Sequence, residues 1–168
     1  MRRTIALFGG VAVALPLLIA VAQATEVALD KVPKPVMEAA QARFAEAKAT
    51  AAGKEKTPEG NLVYEISMED KDLNNVDLTL TPEGTILLIE KQVGRKDLPE
   101  SIAKVLEVKY PKAKYRFVEA VIEIVEKEEQ LTSYEVILLT PKKQTWALQL
   151  ALDGKIMKEE NQTGMEED

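Results

Sequence analysis

The side chains able to do chemistry in this chain are almost all carboxylates. Its 168 residues hold no cysteine and no histidine, against 28 aspartates and glutamates. Without a thiol or an imidazole there can be no cysteine nucleophile, no serine–histidine triad, no disulfide and no thiolate or histidine metal site. Two carboxylates facing each other across a cleft could hydrolyse a glycoside, but the small sheets expected below offer no such cleft. A glycine-rich phosphate loop is also missing. Glu69, Asp70 and Asp72 could present hard oxygen ligands to calcium. Their spacing falls short of a calcium loop and suits a solvated hairpin turn. Tyr64 and Tyr134 fall in strands, where a core position with a hydrogen-bonded hydroxyl is expected. The composition therefore predicts a protein that is not an enzyme and needs no cofactor.

The elements that position these residues occur twice. Tyr64–Glu90 aligns with Tyr134–Glu160 without a gap: Tyr64-Glu65-Ile66 meets Tyr134-Glu135-Val136, and Glu83-Gly84 meets Asp153-Gly154. Upstream, Val32-Pro33, Val36, Ala40, Phe44 and Ala47-Lys48 match Leu98-Pro99, Ile102, Leu106, Tyr110 and Ala113-Lys114. A fixed internal spacing is read before any local pattern. In each copy an apolar stripe at helical spacing opens the unit. Val32, Val36, Ala40 and Phe44 predict a helix over 32–47; Leu98, Ile102, Val105 and Leu106 predict one over 98–110. Asp97 followed by Glu100 resembles a capping box for the second. Segments of alternating polarity follow: 62–69, 75–81 and 85–90 in the first copy, and 114–126, 131–140, 145–151 and 155–160 in the second. Residues 49–60 are the weakest part, with at most a short, frayed strand. Pro82-Glu83-Gly84 is a tight turn with glycine where φ must be positive. Glu126–Gln130 is a charged turn, and Lys91–Lys96 is a polar linker. The expected fold class is α+β: a tandem repeat of a helix packed on a three- to four-stranded antiparallel sheet. The domains are residues 30–93 and 96–160, with 161–168 an acidic, disordered tail that serves solubility or weakly attracts cations or a basic partner.

Residues 1–24 read as a secretory signal peptide: Arg2-Arg3, an apolar run over Ile5–Ala22, and Ala22-Gln23-Ala24 as the cleavage site. Export to the periplasm or beyond follows, with no membrane association after cleavage. The formal charge is −6, and more negative by two without the leader's arginines. That balance disfavours nucleic acid, which needs a basic stripe.

Leu98-Pro99, Ile102, Tyr110-Pro111-Lys112-Ala113, Tyr134-Glu135-Val136, Leu152-Asp153-Gly154-Lys155 and Glu160 resemble the PepSY-like domains grouped as β-lactamase-inhibitor-like proteins. The likeness covers nearly all of the chain after residue 24, as two copies. In the first, Ala45 replaces the proline after the aromatic residue, and Pro82-Glu83-Gly84 replaces the Asp-Gly turn. The resemblance implies an exported, non-catalytic module. Founding members bind and inhibit other proteins, and related units occur in peptidase propeptides.

The sheet face turned away from the helix differs between copies. In the first it reads Glu65, Ser67, Glu69, Asp77 and Thr79, a solvated face. In the second it reads Phe117, Val121, Val125, Ile137, Leu139 and Ala147, with Glu119, Glu123, Glu135 and Gln149 between. An open face this apolar is expected to be covered. The cover is either the other copy, a homodimer, or a separate exported protein. Phe117, Val121, Ile137, Leu139, Ala147 and Gln149 are the candidate protein-binding residues. Trp146, with Leu148 and Leu150, belongs to the helix side. The leading expectation is a binding module that regulates or inhibits a secreted or periplasmic hydrolase. The alternatives are a self-associating structural or stress-related envelope protein, and a binder of small ligands or cations.

Overall fold

The computed structural model describes residues 25–164. The expected signal peptide, residues 1–24, and the last four residues of the expected tail lie outside them. The strands are β1 (Thr25–Glu26), β2 (Lys48–Lys56), β3 (Leu62–Glu69), β4 (Asn75–Leu80), β5 (Ile86–Gln92), β6 (Lys114–Val125), β7 (Glu128–Leu139), β8 (Thr145–Ala151) and β9 (Ile156–Asn161). They are hydrogen-bonded in chain order as one sheet. Two ten-residue helices occur among the described residues, α1 (Lys34–Arg43) and α2 (Glu100–Lys109).

This overturns the expected fold class. The protein is not an α+β tandem repeat of helices, each on its own three- or four-stranded sheet. It is largely β, built on a nine-stranded sheet. The reason lies in the segment read as a linker. Lys91 and Gln92 are the last residues of β5, and the Val93 N–H donates to the Val118 carbonyl of β6 at 2.9 Å. Backbone groups pair whatever side chains they carry, so a polar stretch does not interrupt a ladder.

The described residues divide into two compact units, one up to Ile89 and one from Glu90 onward. In the first, α1 begins directly after Pro33, with Pro35 in its opening turn, where a missing N–H costs nothing. Val36 and Ala40 are fully buried, as are Ile66, Met68, Val76, Leu78 and Leu80 across the sheet. Each of these side chains larger than alanine contributes about 1.5–3 kcal/mol on being withdrawn from water. The helix is shorter than the expected 32–47. It ends at Phe44 because Gln41 turns back, its Nε2 donating to the carbonyls of Phe44, Ala45 and Ala47 at 3.3, 2.9 and 3.2 Å. β2 is a full nine-residue strand, against the expected frayed one. Its partners in β3 run from Glu69 to Leu62, interrupted by one irregularity between Ala49 and Ala51. Alanine and glycine have little preference for strands, but pairing along β3 outweighs that preference.

In the second unit, Leu98, Ile102, Leu106 and Tyr110 pack on Val118, Ala120, Tyr134, Val136, Leu138, Leu148 and Leu150. Trp146 joins this cluster as expected, its ring 5.7 Å from that of Tyr110. Asp97 does not cap α2, since Pro99 occupies that place. Its carboxylate instead accepts the Gly94 N–H at 2.9 Å and closes the short turn Arg95–Asp97. The charged turn after β6 is only two residues long. Glu126 and Lys127, at φ 53° and 71°, make the left-handed hairpin turn, and β7 resumes at Glu128.

One glycine in each unit seats a hairpin turn against the first turn of the unit's helix. Gly84 has φ +88°, and a Cβ there would stand 2.5 Å from the Pro35 carbonyl oxygen. Gly154 has φ +92°, with the Ser101 carbonyl oxygen 2.9 Å from such a Cβ. Both positions exclude a side chain twice over, by conformation and by contact.

Candidate functional site

The outer face of the second unit follows from its register. Phe117, Ile137 and Ala147 are cross-strand neighbours on β6, β7 and β8. Glu119, Glu135 and Gln149 form the next row, continued by Lys158 on β9. Val121, Ser133 and Ala151 form a third. A strand turns alternate side chains to opposite faces. The intervening Val118, Ala120, Val136 and Leu148 therefore point to α2, which the buried cluster confirms.

The candidate binding residues do not share one environment. Val121 and Ala147 are only 2% and 5% exposed, and Ser133 between the rows is 1% exposed. Phe117, Ile137, Leu139 and Gln149 are half-buried. Val121 and Ala147 are thus already withdrawn from water. Phe117 and Ile137, adjacent across the strands, and Leu139, two residues on, keep area that a partner could cover. The Gln149 amide donates to the Ser133 hydroxyl at 3.4 Å. Val125, at the far end of β6, is exposed.

Two carboxylates lie inside this face. Glu119 is 8% exposed and stands directly opposite Glu135. Burial pushes the Glu135 carboxyl up to about 7, and the positive charge of Lys158 pulls it partly back. Near neutral pH this side chain is poised between its acid and its carboxylate. The first unit departs from the expected solvated face. Glu65 is 5% exposed, and burial raises the Asp77 carboxyl, with a Ser67 hydrogen bond opposing the shift. Sequence reasoning took acidic residue types as a sign of solvent. In a strand the face decides, whatever the residue type.

The acidic hairpin turn of Glu69, Asp70 and Asp72 is occupied with its own backbone. Asp70 Oδ1 accepts the N–H groups of Asp72 and Asn74 at 2.8 and 2.9 Å. Beside it lies an open cavity of about 270 Å³ lined by Phe44, Glu46, Ala47 and Asp70–Asp72 among others. Among the described residues, no group of three or more acidic side chains is arranged to hold a metal ion, and no helix is long and apolar enough to cross a membrane.

A bridge between α2 and β9 escaped the sequence reading. Glu159 accepts the Tyr110 hydroxyl on one oxygen and the Lys109 ammonium on the other. Burial and the Glu159 hydrogen bond push the Tyr110 phenol above its ordinary range, and these contacts lower Glu159. A signal was present: the first copy has Phe44 and Ile89 at the matching positions, so hydroxyl and carboxylate appear together or not at all.

No protein-family model matches the chain, and no curated protein matches it in sequence. Solved structures do share its fold. One, a candidate periplasmic protein from Bacteroides eggerthii, is 11% identical with a TM-score of 0.61, over 79% of this chain and 90% of that one. A DUF2874 family protein from Bacteroides uniformis is 10% identical with a TM-score of 0.58, over 79% and 91%. A BLIP-like protein from Bacteroides fragilis is 14% identical with a TM-score of 0.51, over 78% and 86%. The fold of this chain is that of the BLIP-like and DUF2874 proteins.

Proposed function

We propose that this chain is an exported, non-catalytic protein-binding module of the periplasm, and that it regulates or inhibits a secreted or periplasmic hydrolase. The observation that carries the reading is the outer face of β6–β8. Phe117, Ile137 and Leu139 keep apolar area at its margin, while Val121 and Ala147 beside them are already buried. A rigid apolar anchor on a sheet, rather than on a loop, suits recognition of a folded partner. The BLIP-like description of one structural neighbour supports a binding role, and the periplasmic description of another supports the compartment. The PepSY-like resemblance and the duplicated sequence belong to the same proposal.

The test is capture from periplasmic and culture fractions with the wild-type protein and with Ile137→Asp and Leu139→Asp. A stoichiometric heterologous hydrolase held by the wild type and lost from variants that melt like it supports the reading. No partner, or one retained by both variants, refutes it. A photo-crosslinker placed at Leu139 keeps the test open if the aspartate variants fail to fold.

A further inference from the structure

We infer that Asn161 is the acceptor of an N-linked oligosaccharide, added after export. Asn161-Gln162-Thr163 is an Asn-x-Thr sequon with no proline in the middle, the pattern that marks a glycosylation acceptor in an exported chain. The chain has four asparagines. Asn61, Asn74 and Asn75 have Val63, Val76 and Asp77 two residues on, so none of them carries the required hydroxyl.

The fold puts this one sequon within reach of a transferase. Asn161 is the last residue of β9, and β9 is the last strand of the sheet among the described residues. Asn161 and Thr163 are both exposed, and the backbone turns at Thr163 and Gly164. Gly164, at φ +84°, has open space around it. Asn161 Oδ1 accepts the Thr163 N–H at 2.9 Å, so the acceptor amide and the hydroxyl-bearing residue share one turn. Two bonds tie this segment to β8. The Gln162 N–H donates to the Thr145 carbonyl at 2.8 Å, and the Thr145 N–H donates to the Thr163 hydroxyl at 3.1 Å. Both lie beyond the last cross-strand pair, Trp146 with Asn161, so a local opening frees the sequon and leaves the ladder in place.

In the transfer, Asn161 Nδ2 attacks the anomeric carbon of an oligosaccharide carried on a polyprenyl pyrophosphate. A C–N bond forms and the C–O bond to the pyrophosphate breaks. Polyprenyl pyrophosphate leaves with that electron pair, and the amide gives up one proton to a base of the transferase. The bulky, hydrated glycan then stands on the open edge of the sheet, where it opposes the strand-to-strand pairing that an exposed edge invites.

This inference rests on the export in the proposed function and makes no use of the Phe117–Leu139 face. Mass spectrometry of the protein from the periplasmic fraction of its native host tests it. Trypsin cutting after Lys158 gives a peptide that begins at Glu159 and has Asn161 as its sole asparagine. The wild-type peptide is expected to carry an increment equal to a sum of monosaccharide residues, placed on Asn161 by fragmentation. Asn161→Gln and Thr163→Ala should lose the whole increment, and Thr163→Ser, which keeps a hydroxyl, should retain it. An increment on Thr163 itself, or one that survives Thr163→Ala, would overturn the inference. An unmodified wild-type peptide in a protein that fractionates to the periplasm overturns it and leaves export standing. A protein confined to the cytoplasm overturns both.

Discussion

Replacing Glu135 by glutamine should make the protein more stable at pH 8 and leave it unchanged at pH 4. The carboxyl sits inside the outer face of β7, where burial raises it from 4.5 to about 7 and Lys158 offsets only part of the rise. In the unfolded chain it ionises near its ordinary value. Between the two values the folded protein holds a proton that the unfolded chain has released. Stability from this group is therefore full below about pH 4.5 and falls as pH rises through about 7. At about 1.4 kcal/mol per pH unit, the cost of ionising Glu135 in the folded state above pH 8 is on the order of 3 kcal/mol. Glutamine keeps the shape and carries no charge, so the variant escapes that cost. Urea unfolding of both proteins at pH 4, 6 and 8 reads the effect directly. The gap should open with pH and reach a few kcal/mol, about 10 °C in melting temperature. A constant gap across the range, or a variant less stable at pH 8, would refute the burial of an ionisable carboxyl at this position.

Three further outcomes follow from the packing. Gly84→Ala and Gly154→Ala should each cost about 2 kcal/mol or more, because a Cβ meets the Pro35 or Ser101 carbonyl and φ is positive; thermal melts check this, and Gly60→Ala, at φ +86° with open space around it, should cost less because it carries the conformational strain without the contact. Tyr110→Phe should lose about 1 kcal/mol with the hydrogen bond to Glu159. In the wild type, ultraviolet titration should show a tyrosine ionising above the ordinary phenol range, a signal that Tyr110→Phe removes. Gln41→Ala should remove the side-chain donor to the Phe44, Ala45 and Ala47 carbonyls, of which Phe44 keeps the Ala47 N–H, and cost about 1 kcal/mol, read as faster amide exchange over the last turn of α1.

What could be read from the residues was local. The stripe Val36 and Ala40, and its counterpart Ile102 and Leu106, is fully buried. The alternation in 145–151 puts Leu148 and Leu150 in the cluster packed on α2, whereas in 62–69 Leu62 is exposed and Val63 and Glu65 are buried; Gly84 sits in the turn that its type demands. What was hidden depended on pairing between distant segments. The polar run from Lys91 gave no sign that β5 and β6 continue one sheet, because ladder bonds are made by backbone groups common to every residue. β2 was hidden for the same reason: its alanines carry no strand preference, and only β3 supplies its partners. Burial of Glu65 and Glu119 could not be read from residue type, which favours water for both. The Tyr110–Glu159 bridge joins residues far apart in sequence. It shows only when the two copies are compared and the differing pairs are matched.

The central claim is that the margin of the β6–β8 face holds another exported protein. The most direct measurement is the amount of a stoichiometric partner recovered from periplasmic extract by wild type and by folded Leu139→Asp. The account predicts one heterologous protein at one-to-one stoichiometry with the wild type and at least a tenfold loss with the variant. Equal recovery by both, or none by either, would contradict it.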